Sequence, residues 1–339
     1  MNFRSDNEAP VLKEIIQGLL ECNKGLCDSY GDDKVTKKLQ KTFKDIFETD
    51  LDILPVATGT AANSIALSAM SPPYGTIFCS ESSHIDVDEC GAPEFFSGGA
   101  KIKTIPSFSN KIKVEDFEKT LANTGSHGIH ETLPSVLSIT QATEYGTVYT
   151  MDEIQALSSI AHKNNILVHM DGARFANAVA SIKNNSAAKL SWKAGVDILS
   201  IGATKGGAMA AECILIFKNK LLTPLVRYRK RSGHLWSKHR YLSQQFISWF
   251  ENDLWLNQAK HSNLMAKLLE KGMKKNQQIK IVYPVETNMV FAKLSETKVK
   301  DLEESGARFY RWGNSKNLIR LVCNWATNAK DIDLFLSSL

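Results

Sequence analysis

Leu199-Ser-Ile-Gly-Ala-Thr-Lys205-Gly-Gly207 is the stretch from which the rest of the chain can be read. It closes an apolar run over residues 196–201, and the chain turns apolar again at Cys213-Ile-Leu-Ile-Phe217. The pattern predicts strand, tight turn and strand, with a single lysine on the turn. The small neighbours predict room beside the amine for something bulky. A lysine enclosed in an apolar pocket loses proton affinity and becomes a nucleophile toward carbonyls. A lysine that caps a loop in solvent would show the same pattern, so the role of Lys205 rests on what lies upstream.

Upstream, strands and helices alternate. Residues 53–57 read as a short buried strand that breaks into Thr58-Gly-Thr-Ala-Ala-Asn63-Ser64, followed by an Ala-rich helix. Free N–H groups and the helix dipole make such a start an anion site, to which Thr58 and Thr60 add hydroxyls. The lysine of a Walker loop is missing. Residues 76–79 form a strand ending in Glu81-Ser-Ser-His84. This places an imidazole just past a carboxyl end, the edge where open α/β sheets bind ligands. Asp86, Asp88 and Glu89 read as helix-start charges rather than metal ligands, and no metal site is expected. Residues 101–105 and 135–140 are further strands, the second with a polar exit over 141–146. Residues 116–121 and 152–163 are helices. His127 and His130 lie in a loop between 123 and 134. Asn165-Ile-Leu-Val-His-Met170 is almost continuously apolar, as buried parallel strands are, and it delivers Asp171-Gly-Ala-Arg174. A buried aspartate can keep a pyridinium nitrogen protonated, and an arginine fork can grip a carboxylate. The alternation over 53–217 predicts an α/β fold with a mostly parallel, helix-covered central sheet.

The flanks are less regular. Asn2-Phe-Arg-Ser5-Asp-Asn7 reads as a frayed end or as an arm packed on a neighbour, with composition favouring the frayed end. Pro10 starts an amphipathic helix. Asp33, after the turn-rich Ser29-Tyr30-Gly31-Asp32, N-caps a helix over 35–47. Residues 225–241 are strongly basic (Arg227, Arg229, Lys230, Arg231, Lys238, Arg240). A solvated face is the default for such a run; a phosphate site, a subunit boundary and nucleic acid are the alternatives. Residues 246–269 predict one long amphipathic helix. A smaller α+β unit follows, with strands over 279–293, 308–312 and 318–324 and a helix over 331–336. Arg320 lies inside an apolar strand, so it either faces an anion or meets a core acid. The division expected is an arm and helix (1–20), a large domain (21–245) and a small C-terminal domain (246–339).

Bulk properties narrow the class. The chain has 339 residues, 43% of them apolar, and a net charge of +5, too mild to argue for nucleic acid. There is no signal segment and no apolar run near the ~20 residues of a membrane span. The six cysteines include no C-x-x-C pair and read as free thiols of a reducing cytoplasm.

A candidate imine lysine, an acid on an earlier strand end, a Gly-Thr helix start for a phosphate and an imidazole able to stack on a ring meet the four needs of pyridoxal 5'-phosphate. Several motifs carry a closer resemblance. They are Phe3-Arg-Ser-Asp-Asn7, Ser29-Tyr-Gly-Asp-Asp33, Thr58-Gly-Thr-Ala-Ala-Asn63, Ser83-His-Ile-Asp-Val-Asp-Glu-Cys-Gly-Ala-Pro-Glu-Phe-Phe-Ser-Gly-Gly99, His169-Met-Asp-Gly-Ala-Arg174 and Ser200-Ile-Gly-Ala-Thr-Lys205. In these motifs, over essentially its whole length, the chain resembles the bacterial branch of the low-specificity L-threonine aldolases, fold-type I pyridoxal-phosphate enzymes.

The resemblance implies that Lys205 bonds the cofactor's aldehyde, Asp171 pairs with the pyridinium and His84 stacks on the ring. It implies that Gly59 and Thr60 hold the phosphate, helped by Lys230 and Lys238 of a partner subunit. Ser5, Arg174 and Arg320 would hold the substrate carboxylate, Tyr30 would reach into the neighbouring site, and His130 would sit near the substrate hydroxyl. The implied reaction is cleavage of L-threonine or L-allo-threonine to glycine and acetaldehyde. His84, His130 and a bound water are the candidate bases for the hydroxyl proton. It also implies a cytoplasmic homotetramer, a dimer of dimers with shared sites, that serves threonine catabolism and glycine biosynthesis. A β-eliminating lyase or an aminotransferase of the same fold would share Lys205 and Asp171.

Overall fold

The computed structural model describes residues 1–183 and 186–339. Two helices, α1 (Lys13–Cys22) and α2 (Lys34–Phe47), precede the alternating part. That part runs β1 (Asp52–Val56), α3 (Gly59–Met70), β2 (Gly75–Ser80), α4 (His84–Val87), α5 (Ala92–Ser97), β3 (Lys101–Ile105), α6 (Val114–Ala122), β4 (Leu133–Thr140), α7 (Met151–Lys163), β5 (Leu167–Gly172), α8 (Phe175–Ser181), β6 (Ile198–Gly202) and β7 (Glu212–Ile216). Then come α9 (Leu222–Arg231), α10 (Arg240–Phe250) and α11 (Leu254–Met273). The end of the chain adds β8 (Lys280–Ile281), β9 (Met289–Lys293), α12 (Glu296–Glu304), β10 (Tyr310–Arg311), β11 (Leu318–Val322) and α13 (Ala329–Ser337).

The seven strands of the large sheet lie in the order β1-β7-β6-β5-β4-β2-β3. Every neighbouring pair is parallel except the two made by β7. The carboxyl ends of β1, β2, β4, β5 and β6 therefore share one edge with the start of β7. Alternate residues of each strand feed two cores, as a period of two requires. Leu137, Ile139, Val168, Met170, Leu199 and Ile201 face one, with α2, α7, α8 and α10 over them. Val136, Ile198, Ile214 and Ile216 face the other, under α3 and α9.

A second sheet, β10-β11-β9-β8, is wholly antiparallel. It packs with the end of α11, α12 and α13 around Met265, Leu269, Val290, Ile319, Leu321 and Phe335. Its expected first strand over 279–293 is two short strands instead, because Pro284 interrupts the run and removes a ladder donor. The helix α12 was not foreseen. The expected helix over 246–269 breaks at Asn252 and Asp253, both with positive φ, into α10 and α11. Phe246, Trp249, Phe250, Trp255 and Ala259 pack in the first core, and the second begins at Met265. The two cores thus meet within α11, later than a division at 246.

The N-terminal residues are not frayed. Phe3 is fully buried beside Phe335, and its backbone bonds Arg308 O and Val322 N. Ser5 N-caps a 3₁₀ turn, Asp6–Glu8, that carries the chain to the large domain. The anchor is apolar burial of one phenyl ring, which a polar-looking stretch conceals. Asp33 caps α2 through Thr36 N, as expected. No helix among the described residues is long and apolar enough to cross a membrane.

Candidate active site

The shared edge opens into a cavity of about 660 Å³, lined by Ser5, Ser82, His84, Glu144, Arg174, Lys205, Tyr310, Trp312 and Arg320 among others. A deeper chamber adjoins it, with Gly59, Asn63, Glu89 and Asp171 in its wall. Each strand end supplies one part: Gly59 after β1, His84 after β2, Glu144 after β4, Asp171 at the end of β5 and Lys205 after β6. Strand polarity alone brings these residues, spread from Gly59 to Lys205 in sequence, to one rim.

Lys205 sits on a 3₁₀ turn, Thr204–Gly206. The small residues beside it do not make space for a ligand, as the sequence suggests. They let the backbone press against side chains: a Cβ on Gly206 would lie 2.8 Å from the Trp249 indole, and one on Gly207 2.4 Å from Leu12. Gly207 also needs φ +105. Trp249 Nε1 donates to Gly206 O at 3.1 Å, and Leu12 N to Gly207 O at 2.9 Å. The turn is thereby clamped. Burial, then the positive Arg174 nearby, lowers the proton affinity of the Lys205 amine, against the opposing pull of Asp6, Asp171 and Glu212.

Asp171 is 5 % exposed. Its Oδ1 accepts from Ala173 N at 3.0 Å and its Oδ2 from Asn63 Nδ2 at 2.9 Å. The same Asn63 amide donates to Glu89 Oε1 at 2.9 Å, and Glu89 Oε1 lies 2.8 Å from His84 Nδ1. The carboxylate raises the pKa of His84, and burial raises that of Glu89. Glu144 accepts from His84 N at 2.8 Å, from Thr140 Oγ1 at 2.9 Å and from Asn110 Nδ2. Burial, then the charge of Asp171, pushes its carboxyl up to about 7. Glu212, at the start of β7, is likewise raised by burial to about 7. A Cβ on Gly202 would collide with Glu212 at 2.5 Å, which accounts for the glycine.

The two arginines differ. Arg174 is held as a fork by Asp6, Nε to Oδ2 at 2.7 Å and Nη2 to Oδ1 at 2.9 Å, and Asn288 supports the same carboxylate at 3.2 Å. Asp6 takes one edge of the Arg174 fork, so the rest of its guanidinium is what remains for the cavity it lines. Arg320 meets no acid within 4 Å among the described residues. It lies against the rings of Trp312 and Tyr310, 4.6 and 5.2 Å from their centroids, and its Nε is buried without a partner. Burial brings its pKa down to about 10. A half-buried cation whose enclosed Nε has no partner, at a cavity wall, suits an incoming anion.

Five expected residues do not line the cavity or the chamber of their own chain: Thr60, Tyr30, Lys230, Lys238 and His130. Tyr30 is half exposed, with Lys230 Nζ 5.2 Å over its ring, and Lys238 is exposed nearby. His130 precedes β4 and so lies at the opposite, amino-terminal edge of the sheet, exposed. Strand direction keeps it from the rim of its own chain: β4 carries Thr140, not His130, to that edge. Sequence reading missed Asp6, Asn63, Glu144 and Glu212, and set Glu89 aside as a helix-start charge. The signal for Glu144 was the polar exit after β4; Asn63 stood in a quoted motif, one helical turn in from the strand end.

This arrangement fits a flat, anionic, nitrogen-ring cofactor with an aldehyde. Asp171 has an oxygen held at a fixed angle, α3 offers free N–H groups with Thr58 already capping Ala61 N, and Lys205 is clamped between them. Fold and site together define a class, the fold-type I pyridoxal-phosphate enzymes. More closely, the chain belongs to the beta-eliminating lyase family, whose model matches residues 2–297. It is 38% identical to the low specificity L-threonine aldolase of Pseudomonas aeruginosa over 99% of this chain and 98% of that one. It is 39% identical to the low specificity L-threonine aldolase of a Pseudomonas species, over 96% and 93%. A solved threonine aldolase of Leishmania major superposes with a TM-score of 0.93 at 28% identity, covering 99% of this chain and 97% of that one.

Proposed function

We propose that this protein cleaves L-threonine and L-allo-threonine to glycine and acetaldehyde, with pyridoxal 5'-phosphate bound at Lys205. The observation that carries the reading is the unpaired Arg320, aimed into the cavity that also holds Lys205. A small amino acid needs one free cation for its carboxylate and one amine-bearing wall. The near-full-length likeness to two threonine aldolases supports it.

Bound there, the cofactor supplies an electron sink for the pair released at Cα. Asp171 holds a proton on the ring nitrogen, and Gly59 and Thr60 at the start of α3 hold the phosphate. Arg320, with the remaining edge of Arg174 and Ser5, fixes the substrate carboxylate. Fixing it would set how the substrate's Cα is oriented in the cavity. His84 covers the ring and faces the substrate's hydroxyl. Tyr30, Lys230 and Lys238 form one patch away from their own cavity. We assign that patch to the phosphate end of a partner's site, in a homotetramer of shared-site dimers.

The test is to incubate the purified protein with each threonine diastereomer and measure products. Acetaldehyde with glycine supports the reading. Release of 2-oxobutyrate, or of a keto acid with amino transfer, replaces it with β-elimination or transamination.

A further inference from the structure

Glu89 is 3 % exposed, and one of its oxygens, Oε1, serves both His84 Nδ1 at 2.8 Å and Asn63 Nδ2 at 2.9 Å. Asn63 Nδ2 in turn reaches Asp171 Oδ2 at 2.9 Å. A carboxylate buried this deeply is costly unless it is used, and Glu89 lies past the end of α4, where the helix dipole does not favour a negative charge. Asn63 Nδ2 donates to the same oxygen and so favours the accepting, ionised carboxylate against its burial; the imidazole then presents N–H at Nδ1. The other ring nitrogen, Nε2, then carries a lone pair. It has no protein partner among the described residues, and His84 is part of the wall of both the outer cavity and the deep chamber.

We propose that Glu89 is a positioning residue for the cleavage: by taking the Nδ1 proton of His84 it leaves Nε2 free, toward the cavity, to accept the substrate's β-hydroxyl proton. The step balances. The O–H bond breaks to Nε2, the oxygen's electron pair becomes the second bond of the aldehyde carbonyl, and the Cα–Cβ pair stays with the glycine fragment, where the cofactor delocalises it. The proton on Nε2 is then available to return to that fragment. The groups facing His84 are Glu89, Glu144, Asp171, Lys205, Asp88 and Arg174. Of these, Glu89 alone contacts a ring nitrogen, and it is the first cause of the raised pKa of the imidazole. Through Asn63, the same oxygen braces the carboxylate assigned to the pyridinium.

The inference rests on the aldol reading for its substrate, and its test begins without one. In cofactor-free protein labelled with ¹⁵N-histidine, long-range ¹H–¹⁵N spectra are expected to show His84 as the Nδ1–H tautomer. Glu89→Gln keeps an acceptor but removes the charge, so it should lower the His84 midpoint. In the loaded enzyme the same variant should lose roughly tenfold to hundredfold in kcat, part of what a positioned base contributes. KM should stay within about twofold, with the acid limb of the pH profile moving down alongside the midpoint. Asp86→Asn, an exposed change on the same short helix, should move neither. An Nε2–H tautomer in the unmodified protein, or a Glu89→Gln midpoint equal to that of the unmodified protein, overturns the role of Glu89 even where threonine is cleaved. Absence of acetaldehyde with the tautomer as expected removes the aldol reading instead, and with it the hydroxyl as the proton's source.

Discussion

The two ends of the large sheet handle buried charge in opposite ways. At the amino-terminal edge, Asp197 accepts from Val168 N at 2.8 Å and His162 Nε2 at 3.0 Å, and it pairs with Lys218 Nζ at 3.1 Å. The buried Asp197 carboxylate is thus answered from three sides by its own chain. At the carboxyl edge, Arg320 has an orphaned Nε, Glu89 Oε2 and Asn63 Oδ1 lack partners, and Lys205 pairs with no acid within 4 Å among the described residues. The contrast is a physical signature. A closed network holds the fold together, whereas an open one of equal burial is stable only because something else completes it.

The sharpest way to break this contrast is at the open end. Lys205→Ala should abolish the visible absorbance of a lysine-bound cofactor and lower turnover by about 10³-fold or more, with the fold intact. An unchanged spectrum would place the amine outside the chemistry. Next, Arg320→Ala should reduce kcat/KM by roughly 10²-fold, mostly through KM, with cofactor retained; Arg320→Lys should recover little, because a point charge cannot replace a fork. If Arg320→Ala failed to fold, the arginine would belong with the closed networks. At the closed end the expectation reverses. Asp197→Ala should cost about 1–3 kcal/mol of stability, read from a urea midpoint, with kcat unchanged. The smallest effect is a pH dependence. Burial raises the carboxyls of Glu144 and Glu212 to about 7, against an ordinary 4.5. The folded protein therefore keeps protons that the unfolded chain has lost. This stabilisation is complete below about pH 4.5 and disappears as pH rises through about 7. Cofactor-free protein should unfold at lower urea at pH 8 than at pH 5, and Glu212→Gln should flatten that difference.

Much of this was legible in the sequence, for reasons that differ by residue. Lys205, Asp171 and Gly59 each follow an apolar run, so strand polarity alone places them at one rim. Asp33 announced its cap. What failed was whatever depends on a partner far along the chain. The Arg174 fork is taken by Asp6, 168 residues away. Nothing local marked Phe3 as a core residue. The glycines beside Lys205 were read as space, because Trp249 lies 43 positions downstream of Gly206. His130 lies away from the rim of its own chain, as the direction of β4 already implied. Glu89 was dismissed because charge near a helix start has a cheap local explanation.

The indole beneath Gly206 carries one more consequence. It fixes the address of the amine from below, using contacts that no visiting molecule makes or breaks. The seat is thus ready before its occupant arrives. Protein stripped of coenzyme should accept a fresh supply in a single bimolecular phase, with no slow rebuilding step ahead of it.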